Sequence, residues 1–551
     1  MDRVVEVYFL PPVAIARVGG SDNPLEAFEW DTDVSTHGAH QTIIKPAVTL
    51  DVGADGSLRP YLPNIVRFKD GDQLRPAAPF FELWLRVESS HDGAVQEERA
   101  TPARLAELGA SVDNLQFNVT VANCKAQRRT GSPACSYIAR LEVGGTDHER
   151  KPLLAISPHT PGQEPLVYPD RPIPLGSFQV IKPAPATAMG IDLSQIRVRF
   201  TPARGEVYGP PNAIAGPSSP GQPGDIIAAA ILPGAIHEIV PARNRILNPD
   251  TPWSTYIMNA AGQTDPQPCD SYDGADVGNW RSWGVVDDTC DGTITAQLIV
   301  AGTRFTATAR VLSGVPDYAP DRRPFSSLAG DLADRELPPV EVSEGTIDDT
   351  SAEIADLFAR VFETAGLMNL DAVRFKAIQS NINDPPPPNY PGLPQIDKRM
   401  MTKDDEPYVD LTPILLDSNT VAQQSDGVPF LPLPYSAVAM AAHAPLTDLI
   451  TLRDFFRTRT EHVRRLIRPP YGRFSQFEEV PGKVPNPDFR DSRVSRDGLH
   501  DMRMPPFMRD SDENSLSLTW RDYDTLMRFI DLLTEQAAAN AASGQPPKAQ
   551  G

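Results

Sequence analysis

TITAQLIVAGTRFTATARV, residues 293–311, decides the fold. Two runs of alternating, β-branched-rich sequence flank Ala301, Gly302 and Thr303, and a short Gly-containing break between such runs is a hairpin signal. Phe305, Ala307 and Ala309 fall on one face of the second run. Working outward, the same period of two recurs. Phe81, Leu83, Leu85 and Val87 alternate with Glu82, Arg86 and Glu88; Leu115, Phe117, Val119 and Val121 alternate with Gln116, Asn118 and Thr120. Ile196, Val198 and Phe200 alternate with Arg197 and Arg199, so each strand is expected to bury one face and offer the other to water. Thr101 and Pro102 predict a helix start, with Leu105 and Leu108 on one face and Gly109 ending it.

From about residue 345 the period changes. Ile354, Leu357, Phe358, Val361 and Phe362 are at helical spacing, and Thr350 with Glu353 forms a capping-box pattern. Further helices are expected over Leu446–Ile467 and over Trp520–Leu533, the latter capped by Thr519 and Asp522. The fold class expected is α+β: a β-rich region with sandwich-like sheets over 1–340, then a mainly helical region over 341–535. Within the latter, a proline-rich connection spans 384–445, and 536–551 is expected to be a disordered tail. The 57 prolines, excluded from helix interiors and central strands, predict short regular elements.

Composition bounds function. The 551 residues carry 51 Lys and Arg against 72 Asp and Glu, a net charge of −21, which repels phosphate backbones and anionic lipid. Nucleic acid is therefore not an expected partner. No apolar run approaches the roughly 20 residues of a membrane helix, and the opening residues read as a first strand, not as an export leader. A cytoplasmic, soluble protein is expected. The four cysteines, Cys124, Cys135, Cys269 and Cys290, contain no CxxC pair. No zinc or other metal site is expected, and whether Cys124 with Cys135 or Cys269 with Cys290 are bridged stays open.

No dinucleotide, Walker, HExxH or nucleophile-elbow pattern is present, so motif reading names no reaction. Three weaker groupings remain. His37 and His40 are spaced as HxxH in a loop-like stretch, read as solvated polar residues. Cys269, Trp280, Trp283, Asp287, Asp288 and Cys290 gather thiols, indoles and carboxylates, as an oxygen-ligand cation site or a modified-side-chain site would; the plainer reading is a hairpin-entry loop with Asx turns and packed indoles. Arg453, Arg457, Arg459, Arg464, Arg465 and Arg468 form a basic cluster that could grip a carboxylate or phosphate, with a helix face paired to acidic neighbours as the plainer reading.

Four stretches, in order, resemble one family. Pro11 to Gly19 (PPVAIARVG), Trp283 to Gly292 (WGVVDDTCDG), Val315 to Pro320 (VPDYAP), and Arg503 to Asp510 (RMPPFMRD) with Leu516 to Tyr523 (LSLTWRDY) are similar to signatures of the lysine ε-oxidase/glycine oxidase (LodA-like) family. The resemblance implies oxidation of an amino-acid amine to aldehyde or keto acid, with ammonia and hydrogen peroxide released, at a cysteine tryptophylquinone made from the protein's own Trp and Cys. In that family both cofactor residues follow the last of these stretches. Here only a tail without Cys or Trp follows it, so no cofactor-binding position is transferred and no cofactor is expected in this chain.

Whether the chain is an enzyme is left open. The reading put first is a homologue without the quinone, serving as a binding or assembly partner for a second chain that carries the quinone segment or for a flavoprotein maturation enzyme, with homo-oligomerisation open. The alternative is a divergent amino-acid oxidase whose quinone forms elsewhere, with Trp280, Trp283, Cys269, Cys290, Asp287 and Asp288 as catalytic candidates. A third is a structural β-rich protein that shares only architecture.

Overall fold

The computed structural model describes residues 2–33, 41–209, 240–248, 286–317, 319–323, 327–338, 340–366 and 518–543, with residues 224, 225, 255, 256, 453, 456, 457 and 460 besides. In chain order the elements used below are β1 (Arg3–Leu10), β2 (Val13–Arg17), β3 (Thr49–Val52), β4 (Leu58–Tyr61), β5 (Phe80–Glu88), β6 (Val95–Arg99) and α1 (Pro102–Glu107). There follow β7 (Leu115–Asn123), α2 (Lys125–Thr130), β8 (Tyr137–Gly144), β9 (Lys151–Ala155), β10 (Ile173–Val180), β11 (Arg197–Thr201), β12 (Val207–Tyr208), β13 (Val286–Asp287), β14 (Asp291–Val300) and β15 (Thr303–Gly314). The helices α3 (Leu328–Glu336), α4 (Ile347–Gly366) and α5 (Trp520–Ser543) come last.

The chain falls into two units, Met1–Glu29 with Ile44–Tyr318, and Trp30–Ile43 with Ala319–Gly551. The division after Tyr318 precedes the expected boundary at 340, because the last strand ends at Gly314 and α3 belongs with the helices that follow.

The first unit is a β-sandwich. One sheet has the order β1-β5-β11-β10-β9; β11 pairs with β5 along Phe80–Glu82 and β6 pairs with it along Trp84–Glu88. The other has the order β8-β7-β14-β15-β2, antiparallel except for β2 beside β15. Alternation delivers the core as expected: Phe81, Leu83 and Leu85 from the first sheet and Phe117, Val119 and Val121 from the second are buried together. Phe117 and Phe178 meet across the sandwich at 5.9 Å. The β14–β15 hairpin turns on Ala301 at φ 47° and Gly302 at φ 82°, the two positive φ values that a two-residue I′ turn requires. Helix α1 begins as predicted, with Thr101 Oγ1 accepting from Arg104 N at 3.1 Å and Leu105 and Leu108 buried.

One expectation fails. In β11 all five residues are buried, Arg197 and Arg199 included. Alternation gives one polar face, but that face does not meet water, because the β3–β4 hairpin lies over it: Gln179, opposite Arg199 on β10, donates from Nε2 to Gly53 O at 3.2 Å.

In the second unit α4 and α5 share an apolar core built on Ile354, Leu357, Phe358, Phe456, Phe529 and Ile530. Phe456 meets Phe358 at 5.6 Å and Phe529 at 5.8 Å, edge to face. These two helices, of 20 and 24 residues, occupy proline-free sequence and are longer than the proline content suggested. Helix α4 starts at Ile347, so Thr350 is not its cap; the Thr350 hydroxyl donates back to Thr346 O at 2.9 Å within the first turn. Thr519 does cap α5, accepting from Asp522 N at 3.1 Å. That helix runs on to Ser543, past the expected start of the tail at 536, because the alanine-rich stretch after Glu535 has high helix propensity. The connection 384–445 and most of Leu446–Ile467 lie outside the described residues.

Candidate functional site

Asp287 and Asp288 follow one another where β13 hands the chain to β14. β13 pairs with β12, Val207 opposite Asp287 and Tyr208 opposite Val286, and this places the two carboxylates in different surroundings. Asp287 is held from every side. Its Oδ1 accepts from Asn123 Nδ2 at 2.9 Å and Thr289 Oγ1 at 2.8 Å, its Oδ2 from Lys125 Nζ at 2.7 Å, and its carbonyl from the Tyr137 hydroxyl at 2.5 Å. Such a carboxylate ties the end of β7 to the start of β14.

Asp288 is in the opposite situation. It is 1% exposed; Oδ2 accepts from Gly205 N at 3.1 Å and Glu206 N at 2.8 Å, while Oδ1 is buried without a partner. Gly205 makes this possible. At φ +80° it turns two successive amides toward one oxygen, a conformation an L side chain resists. Burial raises the Asp288 carboxyl to about 7, the Asp287 and Glu206 charges add to the rise, and the amides of Glu206 and of Asp288 itself only partly oppose it.

Asp288 lines a cavity of about 320 Å³, together with Arg150, Ser177, Arg204, Glu206 and Tyr208. Arg150 spends Nε on Ser177 Oγ at 2.7 Å. Arg204 reaches Asp22 Oδ1 at 2.6 Å and the carbonyl of Gly20. Glu206 is drawn up by burial, but hydrogen bonds from Asn244 at 2.8 Å and from Arg243 outweigh this and leave its carboxyl below the usual range. Tyr208 is buried, and burial with the charges of Asp288 and Glu206 pushes its hydroxyl well above the ordinary phenol, so it stays a neutral donor. The cavity thus presents the raised Asp288 carboxyl, the Glu206 carboxylate, one phenol and two guanidinium groups, an inventory able to hold an ammonium and a carboxylate together.

Cys290 sits just beyond but faces the sandwich core, its thiol donating to Leu175 O at 3.5 Å. Burial and the three neighbouring aspartates drive the thiol far above its normal range, which suppresses thiolate chemistry. Cys290 is part of the apolar core cluster of the sandwich. Cys290 and Cys124 are free thiols. Cys269, Trp280, Trp283, His37 and His40 lie outside the described residues, as do Arg459, Arg464, Arg465 and Arg468 of the basic cluster. Arg453 is a packing element: 8% exposed, it donates from Nε to Ser351 Oγ at 2.8 Å and pairs with Asp348. Arg457 reaches Gln536 Oε1 at 3.4 Å.

The sequence reading missed Arg204 and Gly205 in the loop after β11, Tyr208 on β12 and Arg150 just before β9, which no local pattern announces. Among the described residues no group of three or more His, Cys, Asp or Glu could hold a metal ion, and no helix is long and apolar enough to cross a membrane.

No protein-family model matches the chain, and no curated protein matches it. Solved structures of L-lysine ε-oxidase from Marinomonas mediterranea are similar at a low level. One matches with 13% identity and a TM-score of 0.34, covering 96% of this chain and 61% of its own. A second matches with 12% identity and a TM-score of 0.32, covering 95% and 60%. The Schiff-base intermediate of that enzyme with L-lysine matches with 13% identity and a TM-score of 0.32, covering 68% and 49%. The chain therefore spans between half and three-fifths of the length of these structures.

Proposed function

We propose that the Asp288 cavity binds a free amino acid or a close amine-bearing carboxylate, and that the chain serves as a LodA-like binding or assembly partner instead of completing the oxidation itself. The observation that carries the binding reading is the Asp288 carboxyl, raised to about 7 by burial, at a cavity also lined by Arg150 and Arg204. An ammonium placed beside the Asp288 carboxyl draws it into its charged form, while the guanidinium groups take the carboxylate. The ordered likeness of four sequence stretches to the LodA-like family points to the same ligand class. The non-catalytic part rests on Cys290, whose thiol is committed to core packing. A chain bearing the quinone or a flavoprotein that matures it are the partners this reading proposes.

Calorimetric titration of the full chain with L-lysine and with glycine tests the binding reading. Saturable 1:1 binding of at least one is expected, stronger at pH 8 than at pH 6 as Asp288 ionises, and weakened tenfold or more in Asp288→Asn. Absence of binding by either amino acid, or equal binding by the variant, overturns it. A peroxide assay on the same preparations addresses the second reading: turnover would favour the divergent oxidase.

A further inference from the structure

A second cavity, of about 880 Å³, lies between the outer face of the six-stranded sheet and the β3–β4 hairpin, and shares no lining residue with the Asp288 cavity. Arg199 reaches it from the middle of β11. Its side chain rests on Phe80, with the guanidinium carbon 4.8 Å from the ring centroid. The residue is only 9% exposed and its Nε is buried without a hydrogen-bond partner. Among the described residues no carboxylate pairs with it.

The nearby acids are already committed. Glu26, 7% exposed, accepts from Arg67 N at 2.9 Å and pairs with Arg75 at 3.3 Å; Arg75 in turn grips Asp70 at 2.7 Å. Asp51 pairs with Arg59 at 2.7 Å near the mouth. Arg199 thus reaches, without a direct ion-pair partner among the described residues, a cavity whose other walls include Leu25, Leu50, Pro79 and Phe80. The Tyr61 hydroxyl, on the same wall as Arg59, is available as a second donor. Burial and the like charge of Arg150 pull the Arg199 guanidinium down to about 10, which leaves it a cation at neutral pH. A buried guanidinium without a direct counter-ion is costly, and such departures from good packing concentrate at functional sites.

We propose that this cavity is a binding site for an organic monocarboxylate with an apolar body, the carboxylate held by Arg199 and Tyr61 and the body packed on Phe80, Leu25 and Leu50. One guanidinium neutralises one carboxylate. A phosphate dianion would require further donors, and the neighbouring carboxylate of Asp51 would oppose it.

The test uses the full chain with benzoate and inorganic phosphate as probes, followed by calorimetry and thermal unfolding. Benzoate is expected to bind 1:1 and to raise the melting temperature by several degrees, with phosphate at least tenfold weaker. Arg199→Met, which keeps the stem and removes the charge, is expected to melt no lower than the wild type and to lose benzoate binding by tenfold or more. Tyr61→Phe gives a milder variant, with affinity falling several-fold. Asp288→Asn is expected to leave benzoate binding unchanged, so this site and the amino-acid site fail separately. Absence of saturable benzoate binding, binding retained in a folded Arg199→Met, or phosphate binding as tightly as benzoate overturns the proposal.

Discussion

Asp288 keeps its proton up to about pH 7 because burial disfavours the charged form, and the donors around it reach only one of its two oxygens. A carboxyl raised from 3.8 to about 7 ties stability to pH in a defined direction. Below about pH 4 the group is protonated in both folded and unfolded chains and costs nothing; between 4 and 7 the unfolded chain ionises first and native stability falls; above 7 the loss is constant. The full effect is on the order of 2–4 kcal/mol. Asp288→Asn cannot ionise, and its amide oxygen can still accept from Gly205 and Glu206. Urea unfolding at pH 5, 6, 7 and 8 is expected to show the wild type losing stability more steeply than the variant, with the variant the more stable at pH 8. Parallel profiles would mean that the carboxyl is not raised. The Asp287–Asp288 pair was legible in the sequence. Which of the two is poised was not, because the answer lies with Asn123, Lys125 and Tyr137 from β7 to β8 and with the Gly205 turn, all distant in sequence.

Single elements were read well where their own residues determine them. The β14–β15 hairpin, the alternating β5 and β7, α1 with its Thr101 cap and α5 with its Thr519 cap follow from local pattern. Arg199 was not legible at this scale: periodicity separates the two faces of β11 but cannot reveal that the β3–β4 hairpin covers the polar one. Asp334 of α3 was also missed, though its carboxylate accepts from Trp520 N at 3.1 Å and Arg521 N at 2.8 Å, at the positive end of α5. A charged acceptor there satisfies two amides that a helix leaves open. Asp334→Ala is expected to cost about 1–2 kcal/mol, read as a lower urea midpoint for loss of helical circular dichroism. An unchanged midpoint would show that Thr519 alone sustains the start of α5.

Across the whole chain, the β-rich beginning and helical end were legible, whereas the path that assigns Trp30–Ile43 to the second unit was not, since no composition change marks it. Within the first unit, Phe117 carries the join between the sheets. Phe117→Ala is expected to cost roughly 3–5 kcal/mol in chemical unfolding monitored by tryptophan fluorescence, a loss spread over both sheets because Phe178 loses its partner. A cost below 1 kcal/mol would mean the sandwich closes without that contact. The pairing of β2 with β15, Val13 opposite Arg310 through Arg17 opposite Gly314, also sets the order of events on the ribosome. At about 5–20 residues per second, β2 emerges roughly 15–60 s before the strand it must lie beside. For that interval its flank is unsatisfied, and the nascent chain is where a chaperone has the longest opportunity to hold it.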